Sequence, residues 1–163
     1  MDESFCALLG KKVCCKKTNK CFGRLSDILV SKGTNEIIGI VAKNDSLIYP
    51  RRFFYFEDIC DKDSVNIFVS GFGEKFMKVV PIFAEFKSIE ADMLKRKAVF
   101  PDGREAGKIQ NINLNMETGT IEGFEIGISI IQDLLNGRKL CRTQNTITFE
   151  GDNIVVENNL TQI

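Results

Sequence analysis

Short apolar runs separated by turn residues fill most of the chain, and this pattern predicts strands. Residues 13–15, 37–41 and 98–100 are apolar or β-branched runs of the length that strands adopt. Turn signals lie between such runs, and Asp102-Gly103 is the clearest because glycine tolerates a positive φ. We therefore expect a mainly β fold with short connections.

The pattern occurs twice, which indicates an internal duplication. Residues 23–40 align without a gap on residues 107–124, an offset of 84 positions. The alignment contains five identities in 18 positions, where average composition predicts about one. The identical pairs are Gly23/Gly107, Ile28/Ile112, Thr34/Thr118, Ile37/Ile121 and Gly39/Gly123.

Both copies share local features that predict their backbone. The apolar alternation breaks by one position between residues 25 and 28, and at the same place in the second copy, which predicts a β-bulge in each. Gly39 and Gly123 lie inside predicted strands, where glycine marks a sharp bend or a close backbone approach. Matches outside the aligned region extend the duplication: residues 11–13 with 96–98, and 65–67 with 154–156.

The copies differ after their third predicted strand. In the second copy, Ser129 is a suitable N-cap and Gly137 a suitable C′ residue for a short helix. Ile131, Leu134 and Leu135 fall on one side of that helix, which we expect to cover one end of the second unit.

The first copy has no such insertion and continues with residues 47–49 and then with Phe-Phe-Tyr-Phe at residues 53–56. Because alternate strand residues face opposite sides, two of them are expected in the core and the others over the joint or a partner. Residues 71–93 join the copies and are too apolar for a free linker. Pro81 interrupts their helical spacing, and we expect this joint to pack between the units.

Eight segments carry a resemblance to a known family. They are residues 9–13, 22–25, 27–30, 38–41 and 56–59 in the first copy, and 107–109, 119–124 and 133–138 in the second. These segments resemble the PRC-barrel family. The resemblance implies an all-β fold, mainly two tandem small six-stranded PRC-type β-barrels, with a short helix in the second and a partly helical joint. It implies a first PRC-barrel over 1–70, a packed inter-barrel joint over 71–93 and a second PRC-barrel over 94–163, used as binding or adaptor modules.

Composition argues against several classes of function. The 163 residues include 22 basic residues, 22 acidic residues and no histidine. A net charge near zero argues against nonspecific nucleic-acid binding by the whole surface, and the usual general base is missing. Neither a phosphate-binding loop nor a nucleophile paired with a base is recognisable. We expect no enzyme activity, no catalytic residue, no cofactor and no metal.

Basic residues are the main candidates for contacts. Residues 11–24 contain six basic residues and no acidic one. These residues could bind the phosphates of RNA or of an anionic membrane, or they form a solvated edge that discourages aggregation. No aromatic stacking platform accompanies the charges in the sequence. The predicted partner-binding residues come from this hairpin, from the aromatic run and from the predicted helix: Lys16, Lys17, Lys20, Arg24, Arg51, Arg52, Ile131 and Leu134.

Six cysteines raise the question of redox state. Their even number is compatible with three disulfides, but without a recognisable export signal we expect free thiols in the cytoplasm. Cys14, Cys15 and Cys21 lie across one predicted hairpin, but their spacing is not that of a zinc site. We therefore expect these cysteines to serve as small apolar residues of the strands.

These features lead to three hypotheses about function. The first is a noncatalytic cytoplasmic binding or adaptor protein that recognises a protein partner or self-associates. The alternatives are an RNA- or ribosome-associated maturation factor, by analogy with the family, and a thiol or metal sensor. Residues 1–81 carry a net charge of +3 and residues 82–163 one of −3, a difference that either favours contact between unlike halves or reflects chance variation in so small a number. No apolar run reaches the ~20 residues that span a bilayer.

Overall fold

Strands dominate the computed structural model, which describes residues 2–76, 86–143 and 147–163, and the prediction of a mainly β fold is confirmed. The elements before the joint are β1 (Asp2–Ser4), α1 (Phe5–Leu8), β2 (Lys12–Cys15), β3 (Cys21–Ser31), β4 (Ile37–Lys43), β5 (Arg51–Tyr55), a 3₁₀ turn (Phe56–Asp58), β6 (Ile59–Lys62), β7 (Asn66–Val69) and β8 (Glu74–Lys75). The later elements are β9 (Phe86–Ser88), a π-helical turn (Ile89–Met93), β10 (Lys97–Val99), β11 (Glu105–Asn115), β12 (Thr120–Gly127), α2 (Ile130–Asn136), β13 (Lys139–Arg142), β14 (Thr148–Glu150), β15 (Asn153–Val155) and β16 (Thr161–Gln162).

The strands form two sheets of eight strands with the same order. One sheet runs β6-β7-β2-β3-β4-β5-β8, with β9 added beside β3. The other runs β14-β15-β10-β11-β12-β13-β16, with β1 added beside β11. Each sheet therefore contains six strands from its own half and two short additions. Within the described ranges, neither path of paired strands returns to its first strand, so no closed barrel is formed by the pairing.

The bulges and glycine contacts predicted from the repeat are confirmed. The register between β3 and β4 shifts between Leu25 and Asp27, and the register between β11 and β12 shifts at the equivalent place. A Cβ atom on Gly39 would lie 2.2 Å from the carbonyl oxygen of Phe54, so the backbones approach as expected. Gly123 makes the equivalent approach to β13.

The end of the duplication is displaced from the predicted match. Val13 lies opposite Ile67 on the parallel neighbour β7, whereas Ala98, the counterpart of Val13, lies opposite Ile154 on β15. The match of residues 65–67 with 154–156 is therefore wrong by two residues. A two-residue shift keeps the same side chains facing the core, so the apolar pattern alone does not reveal it.

Each half contributes its first strand to the sheet of the other half. β1 pairs antiparallel with β11, and β9 pairs antiparallel with β3. The side-chain contacts are equivalent at the same offset: the Cys6 N–H donates to Oδ1 of Asn111 at 3.1 Å, and the Glu90 N–H donates to Oδ1 of Asp27 at 3.1 Å. The two halves thus exchange corresponding arms.

A direct strand contact joins the halves between these arms. Glu36 and Thr120, which are equivalent residues, form an antiparallel bridge. The N–H groups of Ile37 and Ile121 each donate, at 2.7 Å, to a carbonyl oxygen of the opposite half. Because these strand pairings and backbone hydrogen bonds have counterparts with the halves interchanged, the halves are related by an approximate twofold axis.

One main hydrophobic core contains buried residues of both halves. Phe54 lies in this core, whereas Phe53 lies in a smaller cluster with Leu29 and Val41. Phe56 packs against the main core with Phe54, and Tyr55 packs against the smaller cluster with Phe53, so alternate residues face opposite sides as predicted for residues 53–56. The smaller cluster also includes Phe76 and Phe86 of the joint. The prediction about Pro81 and the centre of the joint falls on residues 77–85, outside the described residues.

The cysteines depart from the expectation of free thiols. Cys14 and Cys21 lie opposite each other on β2 and β3 and are joined by a disulfide, so the expectation is wrong for this pair because the register brings them together. The remaining four are free: Cys15 and Cys141 are buried, and Cys6 and Cys60 are exposed.

Candidate binding surfaces

The predicted basic residues of the first hairpin do not form one patch. Lys16 forms an ion pair with Asp61 and lies over the ring of Phe68, 5.2 Å from its centroid. The hydrogen bond between the two charged groups raises the pKa of Lys16 and lowers that of Asp61. Lys17 is exposed in the turn between β2 and β3. Lys16 is therefore engaged within the protein.

Lys20 and Arg52 belong to a second group, around two aromatic rings. The Nζ atom of Lys20 lies 5.7 Å from the ring centroids of both Phe22 and Phe72. Nη1 of Arg52 donates to the carbonyl oxygen of Phe72 at 2.7 Å. Phe72 is exposed and Phe22 is buried, so a single exposed aromatic ring lies beside Lys20, where the chain returns past β3 after β7. RNA binding stays a prediction.

Four neighbouring strands carry a row of basic side chains, which we call the basic row. It consists of Lys12, Arg24, Lys43 and Arg51, each opposite the next across a pair of strands. Directly opposed residues project from the same face of a sheet, and all four are exposed. At the usual strand spacing the row is about 14 Å long. Like charges in this arrangement normally destabilise a sheet, so the basic row is a candidate site for an anion from outside the chain.

Within the part of the chain that the structure describes, no residue of the basic row forms an ion pair. Nη1 of Arg24 donates to the carbonyl oxygen of Gly10 at 3.0 Å, and the guanidinium of Arg51 lies 4.5 Å from the ring centroid of Phe76. These contacts orient the two arginines and leave their positive charges uncompensated.

Asp27 and Glu90 line a cleft at one end of the basic row. Burial raises the pKa of Asp27, although hydrogen bonds from the Ser88 hydroxyl and the Glu90 N–H oppose the shift. The carboxylate oxygens of Asp27 are therefore occupied by the incoming arm. Glu90 is exposed and is the acidic group free to face the cleft.

The second half lacks an equivalent of the basic row. Lys97 lies opposite Lys108, but the next residue in line is Gly127, and Lys97 pairs with Glu105 at 3.5 Å. The row is therefore particular to the first half. Lys43 was not among the predicted site residues, since only the register of β4 shows that it lies between two arginines.

The helix predicted in the second half is confirmed, but its position differs from the expectation. Oγ of Ser129 accepts the N–H of the third helical residue at 3.2 Å, and Gly137 ends the helix with a φ of +74°. Leu134 is 82 % exposed, and Ile131 and Leu135 are also exposed. The expectation that these side chains cover an end of the second unit is wrong.

A polar contact explains this orientation of α2. The carboxylate of Asp133 accepts the Ile128 N–H at 3.1 Å and lies against Gly127, where a Cβ atom would be 2.4 Å from Oδ2. Asp133 therefore anchors the helix to the end of β12. The apolar residues on the other side of the helix face solvent.

Five exposed apolar residues lie in α2 or next to its two ends, and we call them the α2 surface. It consists of Ile128, Ile131, Leu134, Leu135 and Ile163. The last residue belongs here because its N–H donates to the carbonyl oxygen of Arg138 at 3.0 Å. Exposed apolar residues that cluster in this way typically mark an interaction site.

A comparison with protein-family models and with curated proteins finds no match to this sequence. In the described ranges, no helix is long and apolar enough to cross a membrane. No group of three metal-ligating side chains occurs in the same ranges.

Proposed function

We propose that the protein is a noncatalytic binding protein made of two PRC-type barrel units, and that it self-associates through the α2 surface. The common order of six strands in each half and the paired bulges support the two-unit architecture. The location in the cytoplasm and the absence of enzyme activity remain parts of the proposal.

The orientation of α2 is the observation that carries the proposed self-association. Three apolar side chains of a seven-residue helix, Ile131, Leu134 and Leu135, face solvent. Together with their two neighbours in the α2 surface they expose several hundred Å² of apolar area, as large as the largest patch on a typical monomer. Covering this area releases free energy in proportion to the apolar surface removed from water.

A second copy fits this surface because the surrounding charges are mixed. Clefts on the two sides of α2 are lined by Lys108 and Arg138 on one side and by Lys139 on the other, with the ion-paired Glu125 beside Arg138. In a twofold dimer each surface meets itself, so a patch that holds both signs of charge offers complementary pairs. A stable dimer buries about 800 Å² per partner, so the polar rim contributes area besides the apolar residues.

Sedimentation velocity or light scattering of the full chain tests this proposal. We expect a concentration-dependent dimer that Leu134→Asp or Ile131→Asp converts to a monomer, since a carboxylate would be buried at the centre of the interface. Leu47→Asp is the control because Leu47 is an exposed apolar residue in the connection after the third strand of the first half, outside the α2 surface. A wild-type monomer at all concentrations, or a Leu134→Asp variant that associates like the wild type, would contradict the proposal.

A further inference from the structure

A second exposed apolar feature lies at the end of the first half. The connection between β4 and β5 joins Lys43 to Arg51, two members of the basic row. Leu47 at its tip is 99 % exposed, Ile48 is 73 % exposed and Tyr49 is also exposed. The structure therefore places an apolar tip directly beside the positive charges.

Hydrogen bonds within this connection hold the tip away from the core. The Asn44 N–H donates to the carbonyl oxygen of Pro50 at 2.8 Å, and Oδ1 of Asn44 accepts the Ser46 N–H at 2.7 Å. Nδ2 of Asn44 donates to the carbonyl oxygen of Phe22 on β3 at 3.3 Å. The tip is thus presented by an ordered loop that is tied to the sheet.

Two more exposed apolar residues border the far end of the basic row. Leu9 precedes Gly10, whose carbonyl oxygen accepts the bond from Arg24. The carbonyl oxygen of Val65 accepts the Lys12 N–H at 2.9 Å, which places Val65 beside the first member of the row. Exposed aliphatic residues therefore lie at both ends of the row.

We propose that this end of the first half docks on the surface of an anionic lipid bilayer. Leu47 and Ile48 enter the boundary between headgroups and acyl chains, while the basic row contacts headgroup phosphates. Peripheral attachment requires both contributions, because a few apolar residues or a few cations alone give only weak binding. This docking does not depend on self-association through the α2 surface.

The exposed aliphatic tip favours a membrane over a nucleic acid at this end. Nucleic acids gain affinity from phosphate contacts and from aromatic rings on which bases stack. They would leave Leu47 and Ile48 in water, whereas lipid removes them from water and uses the same four cations. Asp27, Asp45 and Glu90 are acidic groups nearby, and none of them forms an ion pair with the row in the described part of the chain.

Vesicle co-sedimentation of the full chain tests the proposal. We expect binding to mixed phosphatidylglycerol–phosphatidylcholine vesicles and little binding to phosphatidylcholine alone. The double variant Leu47→Ser/Ile48→Ser should weaken binding at least tenfold, which corresponds to the lower limit of the free energy gained by burying a single leucine side chain. The double variant Lys12→Gln/Lys43→Gln should weaken it about 25-fold, from about fivefold per cation at an anionic surface. The lysines are chosen because both arginines of the row also make structural contacts.

Lys97→Gln/Lys108→Gln is the matched control, since this opposed pair is the second-half counterpart of Lys12 and Arg24 and is not part of a row. This control should bind vesicles within about twofold of the wild type. Circular dichroism checks that the variants, all at exposed positions, remain folded. Absence of wild-type binding to anionic vesicles at low salt would overturn the proposal. It would also be overturned by equal binding of the serine variant, or by single-stranded RNA binding that needs Lys12 and Lys43 while vesicles do not bind.

Discussion

Replacing Phe5 with alanine tests whether the exchanged arms hold the two halves together. Phe5 precedes the first sheet in the chain, but α1 lies against β11 of the second sheet, and the side chain is 0 % exposed in the common core. Truncation of a buried phenylalanine costs about 3–5 kcal/mol. A whole domain is stable by only about 5–15 kcal/mol, so the loss is large. Because the core contains both halves, we expect the second half to lose stability with the first.

Hydrogen exchange measured by mass spectrometry shows where stability is lost. The melting temperature of Phe5→Ala should fall by about 6–20 °C, at 2–4 °C per kcal/mol for a chain of this size. Amides of β11 and β12 should lose protection together with those of β3. Protection that falls only within residues 12–70, with β11 exchanging as in the wild type, would refute the shared core.

The symmetry supplies a reciprocal variant and a control. Ile89 is the counterpart of Phe5 and is also buried, on the arm that lies against β3. Ile89→Ala should cost about 2–5 kcal/mol and release β3 in the same way. Leu9→Ala changes an exposed residue beside α1 and should stay within about 0.5 kcal/mol of the wild type. An Ile89→Ala variant that leaves β3 fully protected would contradict the exchange of arms.

Two further substitutions examine the strand junctions. Asp27→Asn should stabilise the fold near pH 7, with a gain that shrinks toward about pH 4 in denaturant titrations. Burial raises the folded-state pKa of Asp27, so the contribution of Asp27 to the stability of the fold is complete below its unfolded-state pKa and is lost as the pH rises through its folded-state pKa. Asn111, the second-half counterpart of Asp27, already accepts the equivalent backbone hydrogen bond as an uncharged amide. An equal gain at both pH values would contradict this reasoning. Gly39→Ala should lower the melting temperature by an amount corresponding to about 1–3 kcal/mol, because the new Cβ would meet the Phe54 carbonyl oxygen, and an unchanged melt would disprove the close approach.

Features set by neighbouring residues could be predicted from the sequence. The bulge after Leu25 follows from a break in the alternation of a single strand, and the caps at Ser129 and Gly137 follow from the residues of a single turn. The close approach at Gly39 could be predicted because a glycine inside a strand weakens the strand and therefore usually marks a place where another backbone comes close. All these signals lie within a few positions in the chain.

Features that depend on pairing between distant segments could not be predicted. The exchange of β1 and β9 does not change the apolar pattern of either arm, because an arm buries the same face in its own half or in the other. The disulfide between Cys14 and Cys21 depends on the register of one hairpin, and the basic row depends on the register of three strand pairs. The helix α2 faces outward because Asp133 binds the end of β12, a contact that its apolar spacing does not reveal.

The two candidate surfaces occupy equivalent places in the duplicated fold. Leu47 and Ile131 are separated by the repeat offset of 84, and both lie in the connection after the third strand of their half. The sheets do not need these connections for their cores, so the connections are free to differ in sequence. Their surroundings do differ: the first has the basic row beside it, and the second has charges of both signs. This difference is the basis of our two proposals, an anionic lipid surface for the first end and another copy of the chain for the second. Leu134→Asp should therefore abolish self-association and leave vesicle binding intact, and Leu47→Ser/Ile48→Ser should do the reverse. If each variant impaired both properties, the two ends would form one surface and the division of roles would be wrong.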